Sequence, residues 1–143
     1  MKKTIVAASG YFDPIHVGHI EYLEKAKALG DELIVILNTD KQAIMKKGFV
    51  FMPEKEREQI LKALRCVDKV VLSIDDDQTQ CKTLELLKPN IFAKGGDRYA
   101  HEIPESKTCD KCKIKIIDGL GSKIQSSSDL VKKTKDLTKQ NNL

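Results

Sequence analysis

Nothing in the chain is long and apolar enough to be a membrane span, which takes ~20 consecutive, predominantly apolar residues. The longest run, Leu33-Ile34-Val35-Ile36-Leu37, has five. Lys2-Lys3 followed by Ile5-Val6-Ala7-Ala8 imitates the start of a secretory leader but falls short of the ~7–15 apolar residues a leader needs. A concentrated basic face is missing too. The 25 basic and 21 acidic residues leave a formal charge of +4, and Lys132, Lys133, Lys135 and Lys139 against Asp129 and Asp136 put half of that excess near the C-terminus. A body so near neutrality argues against a dedicated nucleic-acid binder. The four cysteines make one C-x-x-C, Cys109-Asp110-Lys111-Cys112, and Cys66 and Cys81 complete no second one, which favours reduced thiols over a structural zinc. Repeats and linkers are absent. A single domain of 143 residues can bury roughly 68–70% of the surface its unfolded chain exposes, enough to fold without cross-links. The expectation is one cytoplasmic domain over residues 1–137, with residues 138–143 a disordered tail.

What is present is an alternation of strand and helix signals. Strand patterns cover residues 4–9, 32–37, 69–73, 90–93 and 113–117. Helical patterns cover residues 17–29, with Gly30 as C-cap, then 40–47 behind Thr39 or Asp40, 54–65 behind Pro53, 79–87, 104–111 and 126–137. Ile60, Leu61 and Leu64 are the expected core stripe of the third helix, and Asp75-Asp76-Asp77 supplies negative charge at the start of the fourth. Strands joined by helical crossovers predict an α/β fold: a five-stranded parallel sheet with helices on both faces.

In such a sheet ligands bind outside the carboxyl ends of the strands, near the switch in strand order. Three polar segments fall there: residues 10–19, residues 94–98 and Ser126-Ser127-Ser128. In the first, His16 and His19 flank Gly18 at the entry to a helix, where unpaired N–H groups already favour anions. Two imidazoles would add donors to phosphate oxygens, best matched to charge developing in a transition state. The competing roles are a metal pair, which prefers i,i+4 spacing with a carboxylate, and helix capping. There is no G-x-x-x-x-G-K-[ST] and no G-x-G-x-x-G after the first strand, so the P-loop and dinucleotide fingerprints are excluded.

Residues 10–19, with His16-Val17-Gly18-His19 as an H-x-G-H core, resemble the signature of the nucleotidyltransferase superfamily with the Rossmann-like, cytidylyltransferase-like fold. Asn38-Thr39-Asp40, Lys46-Lys47, Arg57, Lys94-Gly95-Gly96-Asp97 and the serine-rich helix start follow in the order that family shows. The chain is similar above all to the adenylyltransferase domain of heptose-phosphate enzymes, and next to glycerol-3-phosphate cytidylyltransferase. His16 stands where the pantetheine-phosphate branch has Thr, and residues 121–125 lack the arginine that the cytidylyltransferase branch carries, which tilts the expected donor toward ATP.

The resemblance implies transfer of AMP or CMP from ATP or CTP to a small phosphorylated acceptor, a sugar or polyol phosphate. Mg²⁺ would come with the triphosphate rather than on dedicated protein ligands. His16 and His19 would bind the triphosphate and stabilise the α-phosphorus, with Lys46 or Lys47 neutralising phosphate charge. Gly10, Tyr11, Phe12, Gly18, Gly95, Gly96, Asp97, Ser126, Ser127 and Ser128 would hold the nucleotide. Asp13, Asp40 and Arg57 would meet the acceptor, in a pocket completed by residues 48–52, as a mobile lid or dimer contact, and by residues 99–103. A homodimer is the family expectation. Two other classes stay open: a nucleotide-binding sensor without turnover, and a small nucleic-acid module using the basic tail.

Overall fold

The computed structural model describes residues 2–95 and 103–120. Gly96, Asp97, Ser126–Ser128 and the helix and tail expected after residue 125 lie outside the described residues. The elements run β1 (Ile5–Gly10), α1 (Val17–Lys27), β2 (Glu32–Leu37), α2 (Asp40–Lys47), α3 (Glu54–Lys62), β3 (Lys69–Leu72), α4 (Cys81–Leu87), β4 (Ile91–Gly95), α5 (Ser106–Cys112) and β5 (Lys115–Leu120). The strands form one sheet in the order β3-β2-β1-β4-β5, every neighbouring pair parallel, as the sequence predicts.

Both sheet faces are covered, and the strand residues alternate between two cores. Val6, Ala8, Leu33, Val35 and Leu37 pack with Tyr22, Leu23 and Ala26 of α1 and Leu61 of α3. Ala7, Ile36 and Phe92 pack on the opposite face with Leu84 of α4 and Cys109 of α5. This is why β2 is a continuous apolar run: each side chain is buried whichever way it points. Cys66 packs against the first core and Cys109 and Cys112 against the second, so the sheet separates them and the four thiols do not meet around one ion. Burial, first, and neighbouring acidic groups and thiols push the Cys109 thiol up to about 12.

Several element ends depart from the sequence expectation for identifiable reasons. Helix α1 stops at an Ala28 cap, and Gly30 lies beyond it in the turn to β2. The stripe of α3 is not purely apolar: Ile60 is 36% exposed, and the position one turn before buried Leu61 is taken by Arg57. Helix α4 begins at Cys81 because the Asp75 carboxylate reaches forward to accept from the Lys82 and Thr83 N–H groups, capping the helix from outside it. Lys113 terminates α5 in the left-handed region, which delays β5 to Lys115.

Candidate active site

After β1 the chain turns to β2 on one side, and after β3 it crosses to β4 on the other, so β1 and β4 diverge at their carboxyl ends. Their pairing stops at Ala8 and Ala93. Tyr22 of α1 occupies the fork. Its hydroxyl donates to the Ala93 carbonyl at 2.5 Å and accepts from the Ser9 N–H at 3.3 Å, satisfying groups that the ladder no longer pairs. Burial raises the Tyr22 phenol far above its ordinary pKa, so it stays a donor. Gly95 is glycine for the same fork: a Cβ there would come within 3.0 Å of the Tyr22 ring and 2.9 Å of the Leu120 carbonyl oxygen.

The segment from Gly10 to His19 is built around Phe12, a non-glycine residue at φ 52°. That strained conformation tucks the ring into the core beneath Gly10, where a Cβ would meet Phe12 Cζ at 2.9 Å. Gly10 and Phe12 thus shape the loop. The edge of the Phe12 ring supports His19, with centroids 4.9 Å apart.

The two histidines form a reciprocal cap. The Gly18 N–H donates to His16 Nδ1, and the His16 N–H donates to His19 Nδ1, both at 3.1 Å. This is the capping-box arrangement with imidazoles in place of the usual Ser/Thr and Glu. Because each Nδ1 accepts, each neutral ring is assigned its proton on Nε2. Capping and phosphate donation, offered by the sequence as rivals, fall on different nitrogens of the same rings. The rings stack at 3.8 Å, 20° from parallel. Burial lowers the pKa of both; burial first and His16 second bring His19 to about 4. Near pH 7 the pair is therefore two fixed, uncharged Nε2–H donors.

An acid-sensitivity follows from His19. Unfolded, its imidazole binds a proton near pH 6.5; folded, only near 4. Between these values the unfolded chain holds a proton that the native state refuses, so stability is full above pH 6.5 and drains as pH falls toward 4, by up to about 3 kcal/mol. Urea unfolding at pH 7 and pH 4.5 should show a smaller acid loss for His19→Asn than for the wild type. Equal losses would place the acid sensitivity elsewhere.

Asp13, Lys47 and Arg57 form the frame of the site. Asp13 is 0% exposed, and its carboxylate accepts from the N–H groups of Phe51 (2.9 Å) and Met52 (2.5 Å) and from Lys47 Nζ (3.1 Å). The loop over residues 48–52 is pinned at its backbone, which opposes its expected role as a mobile lid. Arg57 is 1% exposed; it donates to the carbonyls of Met52 (2.8 Å), Tyr11 (2.7 Å) and Asn38 (2.8 Å) and to Asp40 Oδ1 (2.7 Å). Sequence reasoning put Asp13 and Arg57 on the acceptor. In this geometry both are buried, with their polar atoms turned to the protein, and they hold the loops that border the site.

A cavity of about 320 Å³ opens at the carboxyl end of β1, with neither histidine in its lining. Ser9, Gly10 and Tyr11 from the end of β1, Asn38 after β2, Lys46 of α2, Lys94 of β4, residues 78–80, Pro104 and Glu105 line it. Lys46 and Lys47, equivalent in the sequence, are separated here. Lys47 bonds Asp13, whereas Lys46 borders the cavity with its ammonium 4.5 Å from the Tyr11 ring centroid. Lys94 enters the lining where β4 and β5 lose register between Ala93 and Gly95. Burial raises the Tyr11 phenol, against a smaller opposing effect of its hydrogen bond with Asn38. The sequence missed Gln80 and Glu105. Neither belongs to a motif, and the contact between the two helix starts brings both to the cavity.

A parallel sheet wound both ways from its central strand, with paired imidazole donors at the switch point, defines an α/β nucleotide-handling domain of the H-x-G-H kind. The chain belongs to the cytidylyltransferase-like family, whose pattern matches residues 7–136, and is a nucleotidyltransferase domain. It is similar to proteins named "Bifunctional protein HldE". The one from Citrifermentans bemidjiense is 40% identical over 138 residues, covering 92% of this chain and 27% of the relative. That from Helicobacter pylori is 39% identical over 137 residues, covering 94% and 28%. The chain thus spans little more than a quarter of the length of these curated relatives. Among solved structures, a lipopolysaccharide core biosynthesis protein from Thermoplasma volcanium superposes with a TM-score of 0.72 at 30% identity, covering 84% of this chain and 98% of that one. A protein of unknown function from Archaeoglobus fulgidus shares the fold, with a TM-score of 0.58 at 17% identity.

Proposed function

We propose that this domain transfers AMP or CMP from ATP or CTP to the phosphate of a small sugar or polyol phosphate and releases pyrophosphate. The observation that carries this reading is the imidazole pair, whose Nδ1 atoms are held by helix-capping bonds while both Nε2–H groups remain as donors. An acceptor phosphate oxygen forms a bond to the α-phosphorus, and the bond from that phosphorus to the bridging oxygen breaks, its electron pair leaving with pyrophosphate. The attacking oxygen is already anionic near pH 7, so no general base is required. Catalysis is then positioning plus charge stabilisation. His16 and His19 donate to the oxygens that gain charge. Lys46 and Lys94 supply positive charge at the cavity where the acceptor phosphate sits. By resemblance, Gly96, Asp97, Ser126, Ser127 and Ser128 complete the nucleotide site.

Mg²⁺ would supply charge neutralisation on the triphosphate. The residues here fit a metal held by nucleotide oxygens: the donors around the switch point are N–H groups, and the Asp13 and Asp40 carboxylates are engaged by Lys47, the loop N–H groups and Arg57. A cytoplasmic homodimer belongs to the same reading. No described helix is long and apolar enough to cross a membrane.

Thermal-shift measurements with Mg²⁺ and each of ATP, CTP, GTP and UTP identify the donor. At 100 times Kd the expected stabilisation is about 2.7 kcal/mol. Pyrophosphate release is then followed with a panel of sugar and polyol phosphates. A nucleotide that stabilises the protein while no acceptor yields pyrophosphate would overturn the transfer reading in favour of a nucleotide sensor.

A further inference from the structure

Among the described residues two buried glutamines have opposite hydrogen-bond status. Gln42 is fully buried and satisfied: Nε2 donates to the Asp77 carbonyl at 2.7 Å and Ser73 Oγ at 3.1 Å, and Oε1 accepts from the Thr39 N–H at 2.9 Å. Gln80 is 3% exposed, yet its Oε1 has no hydrogen-bond partner among the described residues. An orphaned buried acceptor carries a desolvation penalty with no return in the fold, and such a group calls for an explanation.

Its surroundings offer one. Gln80 lines the cavity at the carboxyl end of β1, together with Glu105. The two residues precede α4 and α5 and are tied to each other, the Gln80 N–H donating to Glu105 Oε1 at 3.1 Å. Their backbones are fixed in turn, the Gln80 carbonyl accepting from Leu84 N–H and the Glu105 carbonyl from Cys109 N–H, both at 2.9 Å. Glu105 is 4% exposed. The cavity lining thus includes two buried residues with oxygen acceptors, an amide and a carboxylate, together with the cationic Lys46 and Lys94. Such acceptors repel a phosphate and match O–H donors.

We infer that Gln80 and Glu105 are specificity-determining residues that read adjacent hydroxyl groups of a polyhydroxylated phosphate ester, whose phosphate lies toward Lys46 and Lys94. The inference rests on the acceptor-cavity reading above and narrows it. A nearby hydroxyl would donate to Gln80 Oε1, and a second to Glu105. An ester without hydroxyls leaves both acceptors unpaired, which makes the site selective against it.

The test is direct binding, by calorimetry without nucleotide, of glycerol 3-phosphate, glucose 1-phosphate, methyl phosphate and inorganic phosphate to the wild type, Gln80→Leu and Glu105→Gln. In the wild type, at least one polyol ester should bind about tenfold or more tighter than methyl phosphate. Gln80→Leu should abolish most of that advantage while leaving methyl phosphate unchanged, and Glu105→Gln should reduce it. Because Leu removes an unsatisfied group, Gln80→Leu should also melt higher, by about 3 °C, whereas Gln42→Leu should melt lower. Its thermal shift with the nucleotide should equal the wild type's. A wild type that binds methyl phosphate as tightly as both polyol esters, a Gln80→Leu variant that keeps the preference, or one that melts several degrees lower would each overturn the inference. Hydroxyl-dependent binding without pyrophosphate release would sink the transfer reading and leave this one standing.

Discussion

His19→Ala is expected to lower turnover by about 10²–10³-fold or more, the range set by removing a single preorganised donor from an oxyanion-type site. Alanine removes two functions at once, since His19 Nδ1 accepts from the His16 N–H and Nε2 carries the ring proton. Two conservative replacements separate them. Asn places an amide oxygen near the position of Nδ1, so it keeps the cap and loses the donor. Gln places an amide nitrogen near the position of Nε2, so it keeps a donor and loses the cap. His19→Asn should therefore remain close to the wild type in stability at pH 7 while losing turnover almost as fully as His19→Ala. His19→Gln should lose about 1 kcal/mol of stability, the usual worth of a cap, and retain more turnover than Asn. Steady-state pyrophosphate release and urea unfolding of the three variants decide it. If Asn retains turnover and Gln abolishes it, His19 acts through helix geometry and Nε2 is not the reacting donor.

The sheet and its order of elements were legible because their signals are local. The run at Leu33–Leu37 and the Thr39 cap each announce themselves within a few residues, and parallel winding follows from the alternation of strand and helix. The imidazole pair was legible for the same reason, being three residues apart at a helix start. What escaped was every role fixed by contacts distant in sequence. The resemblance puts Arg57 at the acceptor, and only the approach of Tyr11, Asn38 and Met52 makes it a core residue. Lys46 and Lys47 are indistinguishable by composition; the helical rotation of about 100° between successive residues turns one to Asp13 and the other to the cavity. Gln80 and Glu105 are 25 residues apart and meet only because α4 and α5 start side by side.

Arg57→Met is the largest stability change expected from a single side chain at the site. The guanidinium has no solvent access and gives four donors to the protein: one to each of three backbone carbonyls, on the segments that carry Tyr11, Asn38 and Met52, and one to Asp40. Met matches the apolar stem but leaves those carbonyls and one carboxylate oxygen without their partner. Breaking a buried charged network in this way costs about 3–5 kcal/mol, against a total stability of roughly 5–15 kcal/mol for a domain. Lys keeps the charge but offers no planar fork, so Arg57→Lys should recover only part of the loss. The alternative, direct contact with the acceptor phosphate, predicts a different pattern: a raised KM with melting temperature unchanged. Tyr11 and Asn38 border the cavity, so the scaffold role predicts that turnover and stability fall together in Arg57→Met and recover together in Arg57→Lys. Melting curves and a kcat-against-KM comparison on both variants separate the two, and a stable Arg57→Met protein with only an elevated KM would return this arginine to the substrate.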